Sequence, residues 1–296
     1  MTTPRPFTFF NGDVPLAAHV HRSGDPEERQ PAVLITGSWL TVKEQMADRY
    51  AAALAERGFT VFTFDFAGWG ASGGRPRYAE LPARKVDDIV AAARAVSTLS
   101  SVRPGAIGYL GVCASAQYAL RAVAQGAPIA SYASVAGWFH DAATVAPFYG
   151  GADGVAMRLD RAAEALEAFH RTGEVRTVPA YEDGNDRAGM SFELPYYAEA
   201  GRGAVPTWTN EMAEFSWAYW LTYDGLSPAS AVSVPSLFVH SDDCVLPDNV
   251  RTVANAVTGP VETVWTTGSQ IDFYDQQEQV AFAVVAAAAH FEGTLS

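Results

Sequence analysis

The chain has 296 residues, 49% of them hydrophobic, with 20 basic against 33 acidic side chains and a formal charge of -13. That length supplies core enough for one α/β domain with an insertion. The charge excludes a general affinity for nucleic-acid backbones or anionic lipid surfaces, whose phosphates it repels.

No stretch reaches the roughly 18 uninterrupted apolar residues of a membrane span. The N-terminus also lacks the charged-then-apolar pattern of a secretory leader, so a cytoplasmic protein is expected. Two cysteines, Cys113 and Cys244, make neither a disulfide framework nor a thiolate metal cluster and are read as reduced thiols. Neither a metal nor a cofactor is expected.

In chain order, "FTFF", the turn "NGD" and "VPLAAHVHR" predict an antiparallel hairpin. "PAVLITGSW" is a buried strand. It is followed by the helical pattern of "TVKEQMADRYAAALAERGF", with Thr41 as a candidate helix cap. "TVFTFDF" and "AIGYLGV" are further buried strands, each leading into a helix ("ARKVDDIVAAARAVSTL", "ASAQYALRAVAQG"), and "IASYASVAGW" is another. Buried strands alternating with helices call for a mostly parallel sheet covered on both faces. The alternation stops over 141–229, which carries helical segments and no convincing core strand. It resumes with "VPSLFVHSDD", a helix near "NVRTVANAV", the strand "VETVWTT" and one long final helix. The expectation is an eight-stranded α/β core, 1–140 and 230–296, with a helical cap insertion at 141–229.

Ligands of such sheets bind beyond the carboxyl ends of the strands, and Cys113 falls at one. Gly111, Val112, Cys113, Ala114 and Ser115 have the form small-x-nucleophile-x-small between a strand and a helix, the form of a nucleophile elbow. Helix-first amides and the dipole behind them would draw the thiol below its free pKa of about 8.5 and leave it partly thiolate. A buried structural cysteine is the plainer alternative. The amide of Ala114 and one from Ser38 or Trp39, in the loop "TGSWLTVKEQ", would form an oxyanion hole. An acid at the end of a late strand is expected at Asp242, with Asp243 beside it. The loop after the last strand, where a triad histidine belongs, holds Gln270, which takes no proton near neutral pH. That leaves a thiolate needing no base, His140 as base, a direct role for Asp242 or Asp272, or an inactive site. In the aromatic stretch 190–223, Tyr196, Trp208 and Trp217 are candidates to meet substrate, although most such rings would pack the cap or bury a dimer interface. "GWGASGG" is too irregular for a dinucleotide fingerprint.

"TGSWLTVKEQMADRYA", "FDFAGWGASGG", "ARKVDDIVAAA", "LGVCASAQYAL" and "GSQIDFYDQ" together resemble a branch of the α/β-hydrolase superfamily. It contains dienelactone-hydrolase-like bacterial proteins and fungal polyketide transferases and thiohydrolases. The resemblance implies an α/β-hydrolase fold and a covalent acyl-enzyme on Cys113. It also implies hydrolysis or transfer of an ester or thioester in secondary metabolism, with "SDDCVLPDN" as acid loop. The partner expected is a small acyl substrate, free or carrier-bound. A lyase, isomerase or cyclase on the same fold, or a binding protein that has lost the histidine, are the alternatives.

Overall fold

The computed structural model describes residues 4–25 and 27–296. Strands β1 (Arg5–Asn11) and β2 (Val14–His21) form the expected hairpin, with Gly12 in the left-handed region at its turn. There follow β3 (Gln30–Thr36), α1 (Met46–Ala55), β4 (Thr60–Phe64), α2 (Pro82–Ser97), β5 (Val102–Val112), α3 (Ser115–Ala124) and β6 (Ser131–Val135). After the intervening segment come β9 (Ser236–Ser241), α8 (Pro247–Ala256), β10 (Val261–Thr266), α9 (Asp272–Asp275) and α10 (Gln277–Thr294). The eight-stranded sheet has the order β1-β2-β4-β3-β5-β6-β9-β10. Only β2 runs antiparallel to its neighbours; the other pairings are parallel.

The central strands are buried on both faces along almost their whole length, because helices cover the sheet in two layers, α1 with α10 and α2 with α3. Between β6 and β9 lie α4 (Ala142–Val145), α5 (Gly151–Thr172), β7 (Thr177–Pro179), α6 (Pro195–Ala198), β8 (Glu211–Ala213) and α7 (Ser216–Trp220). None of these joins the large sheet. The segment is less helical than its sequence suggests: "NEMAEFSWAYW" splits into β8, which pairs with β7 in a two-stranded sheet of their own, and the short α7. The last helix is also broken, at Gln276, whose extended backbone separates α9 from α10. Thr41 caps no helix, since its hydroxyl turns back to the Ser38 carbonyl and α1 begins at Met46. Among the described residues no helix is long and apolar enough to cross a membrane.

The glycine-rich loop after β4 is organised by an acid. Asp65, fully buried, accepts from the backbone of Lys43 and Ala71 and from the Lys43 ammonium at 2.8 Å. A Cβ on Gly70 would lie 2.3 Å from that carboxylate. The glycine is there to let the backbone wrap the carboxylate, so the loop needs no phosphate to explain it.

Candidate active site

Cys113 sits between β5 and α3 with φ of 57°, in the left-handed region that disfavours a side chain. The strain is over-determined by neighbours. Its N–H donates to Val135 O at 3.1 Å, and its carbonyl accepts from Ala116 and Trp138. A Cβ on Gly111 would stand 2.5 Å from Ala116 Cα, so α3 approaches β5 closely only because residue 111 has none. Ser115 is 1% exposed, and its hydroxyl donates to Thr36 O at 2.6 Å, tying the helix start to β3.

Four donors surround the sulfur: the Ser38 hydroxyl, the Tyr274 phenol, and the backbone N–H groups of Ala114 and Trp39. Burial of the thiol outweighs them and pushes its pKa up rather than down. This corrects the expectation of a thiolate drawn out by the helix terminus: the site is too dry for the charge. The sulfur faces a cavity of about 70 Å³, lined by Trp39, Trp138, Tyr149, Tyr197, Trp220 and Tyr274 among others, with no charged side chain on its wall.

At the far side of the cavity Gln270 is fixed at both ends of its amide. Oε1 accepts from Val245 N at 3.2 Å, which fixes the amide's orientation and leaves Nε2 to donate to Ala136 O at 2.7 Å and to Tyr274 Oη at 3.2 Å. Tyr274 therefore keeps its own proton free to give, toward Ser38 Oγ 3.1 Å away or toward the sulfur. Tyr197 donates to the same Ser38 oxygen at 3.0 Å. Burial pushes both phenols well above their ordinary range, so they stay protonated.

No protein-family model matches the chain. It is 40% identical over 125 residues to an uncharacterised protein of Pseudomonas aeruginosa, a match spanning 40% of this chain but only 33% of that relative. It is 26% identical over 249 residues, 78% of each chain, to a polyketide transferase of Penicillium crustosum. An acyltransferase of Aspergillus calidoustus is 28% identical over 260 residues, 82% of this chain and 80% of that one. Among solved structures, the α/β hydrolase GrgF from a Penicillium species superposes with a TM-score of 0.80 at 17% identity, over 99% of this chain and 98% of that one. The chain has the α/β-hydrolase fold. The resemblance drawn from its motifs holds for the superfamily and for the polyketide transferase branch.

Within the α/β-hydrolase fold the other predicted residues are distributed unevenly. Ser38, Trp39 and Ala114 do meet Cys113. Asp242 does not reach the cavity: it is fully exposed and ion-paired with Arg251 at 2.5 Å, and Asp243 is exposed beside it. The end of β9 offers Gln270 only the Val245 amide where a carboxylate was expected. Asp272 accepts from the Ser269 backbone and hydroxyl, a brace within its own turn. His140 is completely buried and both its nitrogens are engaged. Trp138 Nε1–H donates to Nδ1 at 2.7 Å, so Nε2 carries the proton and donates to Trp220 O at 2.8 Å. Burial holds its pKa down at about 4, and it has no free lone pair to act as base.

Three proposed substrate contacts also lie off the cavity wall. Trp208 donates to Leu40 O at 2.7 Å and Trp217 packs edge-on against Trp39 at 5.7 Å, so both brace the loop that carries Ser38 and Trp39. Tyr196 lines a different cleft. The wall is built instead by Tyr197, Trp220, Trp138 and Tyr274. Tyr274 was legible in part, since it follows Gln270 by four residues at the start of a helical turn, a spacing that stacks side chains on one face. Tyr197 and Trp138 had no comparable signal.

Proposed function

We propose that the protein is an acyltransferase or hydrolase that carries an acyl group on Cys113, taken from a thioester and passed to a bound acceptor. The observation supporting this is the Cys113 sulfur itself, held in a strained turn with two backbone N–H groups beside it. The relatives named polyketide transferase and acyltransferase support the same reaction class. The N–H groups of Trp39 and Ala114 serve as the oxyanion hole, since the oxygen of a tetrahedral adduct on sulfur forms within their reach.

The thiol starts protonated, so its proton must go somewhere. In the first half-reaction the S–H bond breaks and a bond from Sγ to the acyl carbon forms. The carbon–sulfur bond of the donor breaks, and the proton ends on the departing thiol. The Tyr274 and Ser38 hydroxyls relay it, each giving one proton as it receives another. A thioester suits this best, because a leaving thiolate is a weak enough base to depart with little help. In the second half-reaction the acceptor's X–H proton returns to Sγ as the acyl–X bond forms. Gln270 orients Tyr274 and takes no proton itself, so water is poorly activated and transfer to an acceptor is favoured over hydrolysis.

The uncharged, aromatic wall selects a neutral apolar acyl group, and the buried, unpartnered indole N–H of Trp39 offers it one donor. At about 70 Å³ the cavity is small beside the ~300 Å³ of ordinary ligand sites. Phe192, part of the cavity lining, is 43% exposed and marks its outer edge. The dry, protonated thiol with no adjacent imidazole favours a second reading, a binding protein without turnover.

Intact-mass measurement separates the two after incubation with N-acetylcysteamine thioesters of graded chain length. One acyl unit added to the wild-type protein and none to Cys113→Ala is the expected result; thioester turnover undiminished in that variant would sink the proposal. Gln270→His is expected to shorten the life of the adduct by promoting water attack.

A further inference from the structure

The geometry points to a divalent transition-metal site, suited to zinc(II), formed by His19, His21 and Asp48, none of which lines the Cys113 cavity. His19 and His21 are two residues apart on β2 and so project from the same face of the strand. Asp48, in the first turn of α1, lies against that face. His19 Nδ1 is 2.7 Å from one carboxylate oxygen and His21 Nε2 is 3.1 Å from the other. One ligand atom from each residue falls within 4.8 Å of the rest. Tetrahedral zinc with ligands at about 2.0–2.2 Å needs its donors roughly 3.3–3.6 Å apart, so small rotations of these side chains enclose the ion.

The surroundings suit an ion of that kind. The Thr63 hydroxyl donates to Asp48 Oδ1 at 2.5 Å and fixes the carboxylate. With Nδ1 of His19 as ligand its Nε2 carries the proton, and Glu44 Oε1 lies 3.9 Å from that nitrogen, in the place of a carboxylate that orients a metal-bound imidazole. Glu44 Oε2 is buried without a partner. Lys43, whose charge acts on His19, is already paired with Asp65 and Glu44. A cleft of about 510 Å³ reaches His21, Glu44 and Asp48, giving the ion a way in and a water as fourth ligand. Imidazole and carboxylate donors without thiolate match zinc, cobalt(II) or nickel(II) better than softer ions.

The test uses the full chain, stripped with chelator and titrated with cobalt(II) and then zinc(II) at pH 7.5, followed by absorption and calorimetry. It is run in a Cys113→Ser, Cys244→Ser background so that neither thiol competes. The expected result is one equivalent bound with a tetrahedral cobalt spectrum and a rise in Tm with zinc. His19→Gln and His21→Gln should each lower affinity by about 10- to 100-fold. His19 is partly exposed, so its variant keeps the test alive if substitution of the buried His21 prevents folding. No saturable binding at millimolar ion, or binding unchanged in His19→Gln, would overturn the site and leave the trio as a hydrogen-bonded brace between β2 and α1.

Discussion

The turn at Cys113 and the corner at Gln270 face each other across one cavity but are held by different physics. The turn is fixed by shape: a missing Cβ at Gly111, a small buried Ser115 and a backbone forced into the left-handed region. The corner is fixed by direction, through three hydrogen bonds that use an amide where an imidazole–carboxylate pair was expected. Shape positions a reactive atom whatever its protonation state, whereas a directional network also decides which atoms carry protons. The thiol is therefore in place while no imidazole–carboxylate pair stands beside it.

The contrast is sharpest at Gly111. Gly111→Val drives a side chain into the α3 backbone, and the expected cost is about 3 kcal/mol, read by denaturant unfolding, with loss of acyl-adduct formation. A variant as stable as the parent would mean that the turn is not held by shape.

The pH dependence of stability comes next. Burial holds His140 at a pKa of about 4 against 6.5 in the open chain. Between those values the unfolded chain binds a proton that the folded chain refuses. The stabilisation is whole above pH 6.5 and disappears as pH falls toward 4, on the order of 2–3 kcal/mol. His240, also held at about 4 by burial, contributes in the same direction. Unfolding curves at pH 7 and pH 5 should show a smaller drop in His140→Gln than in wild type. An acylation rate that rises near pH 6.5 and loses that limb in the same variant would make His140 the base and break the comparison.

At the corner, Tyr274→Phe removes the proton relay and one sulfur donor while keeping the ring. Acylation should slow about 10- to 100-fold with the fold intact, measured by the rate of adduct appearance. The smallest effect is expected at Asp242→Asn, which should leave that rate unchanged. The acid of a working triad costs on the order of 10⁴ when neutralised, so a large loss would restore Asp242 to the site.

These differences explain how far the sequence could be read. Buried strands such as "AVLIT" and the small residues around Cys113 leave local marks, because core burial and tight turns demand particular residue types at particular positions. The acid loop misled because Asp242 and Asp243 have the right chemistry at the right place in the chain, and only the loop's path turns both outward, Asp242 onto Arg251. The lowered thiol pKa failed for a related reason: helix-terminal amides are a local feature, but the dryness that defeats them comes from aromatic rings contributed by distant segments. His140 looked available because Trp138, though only two residues away, gives no sequence mark that its indole donates to Nδ1, and Trp220, which takes Nε2, lies 80 residues on.

The amide of Val245 that steadies Gln270 is supplied by the main chain, and every residue type except proline supplies one. A carboxylate in that role would be a single point of genetic failure. Here the outward-facing acids of the loop after β9 are free to change without touching that bond, and only Val245→Pro deletes it outright.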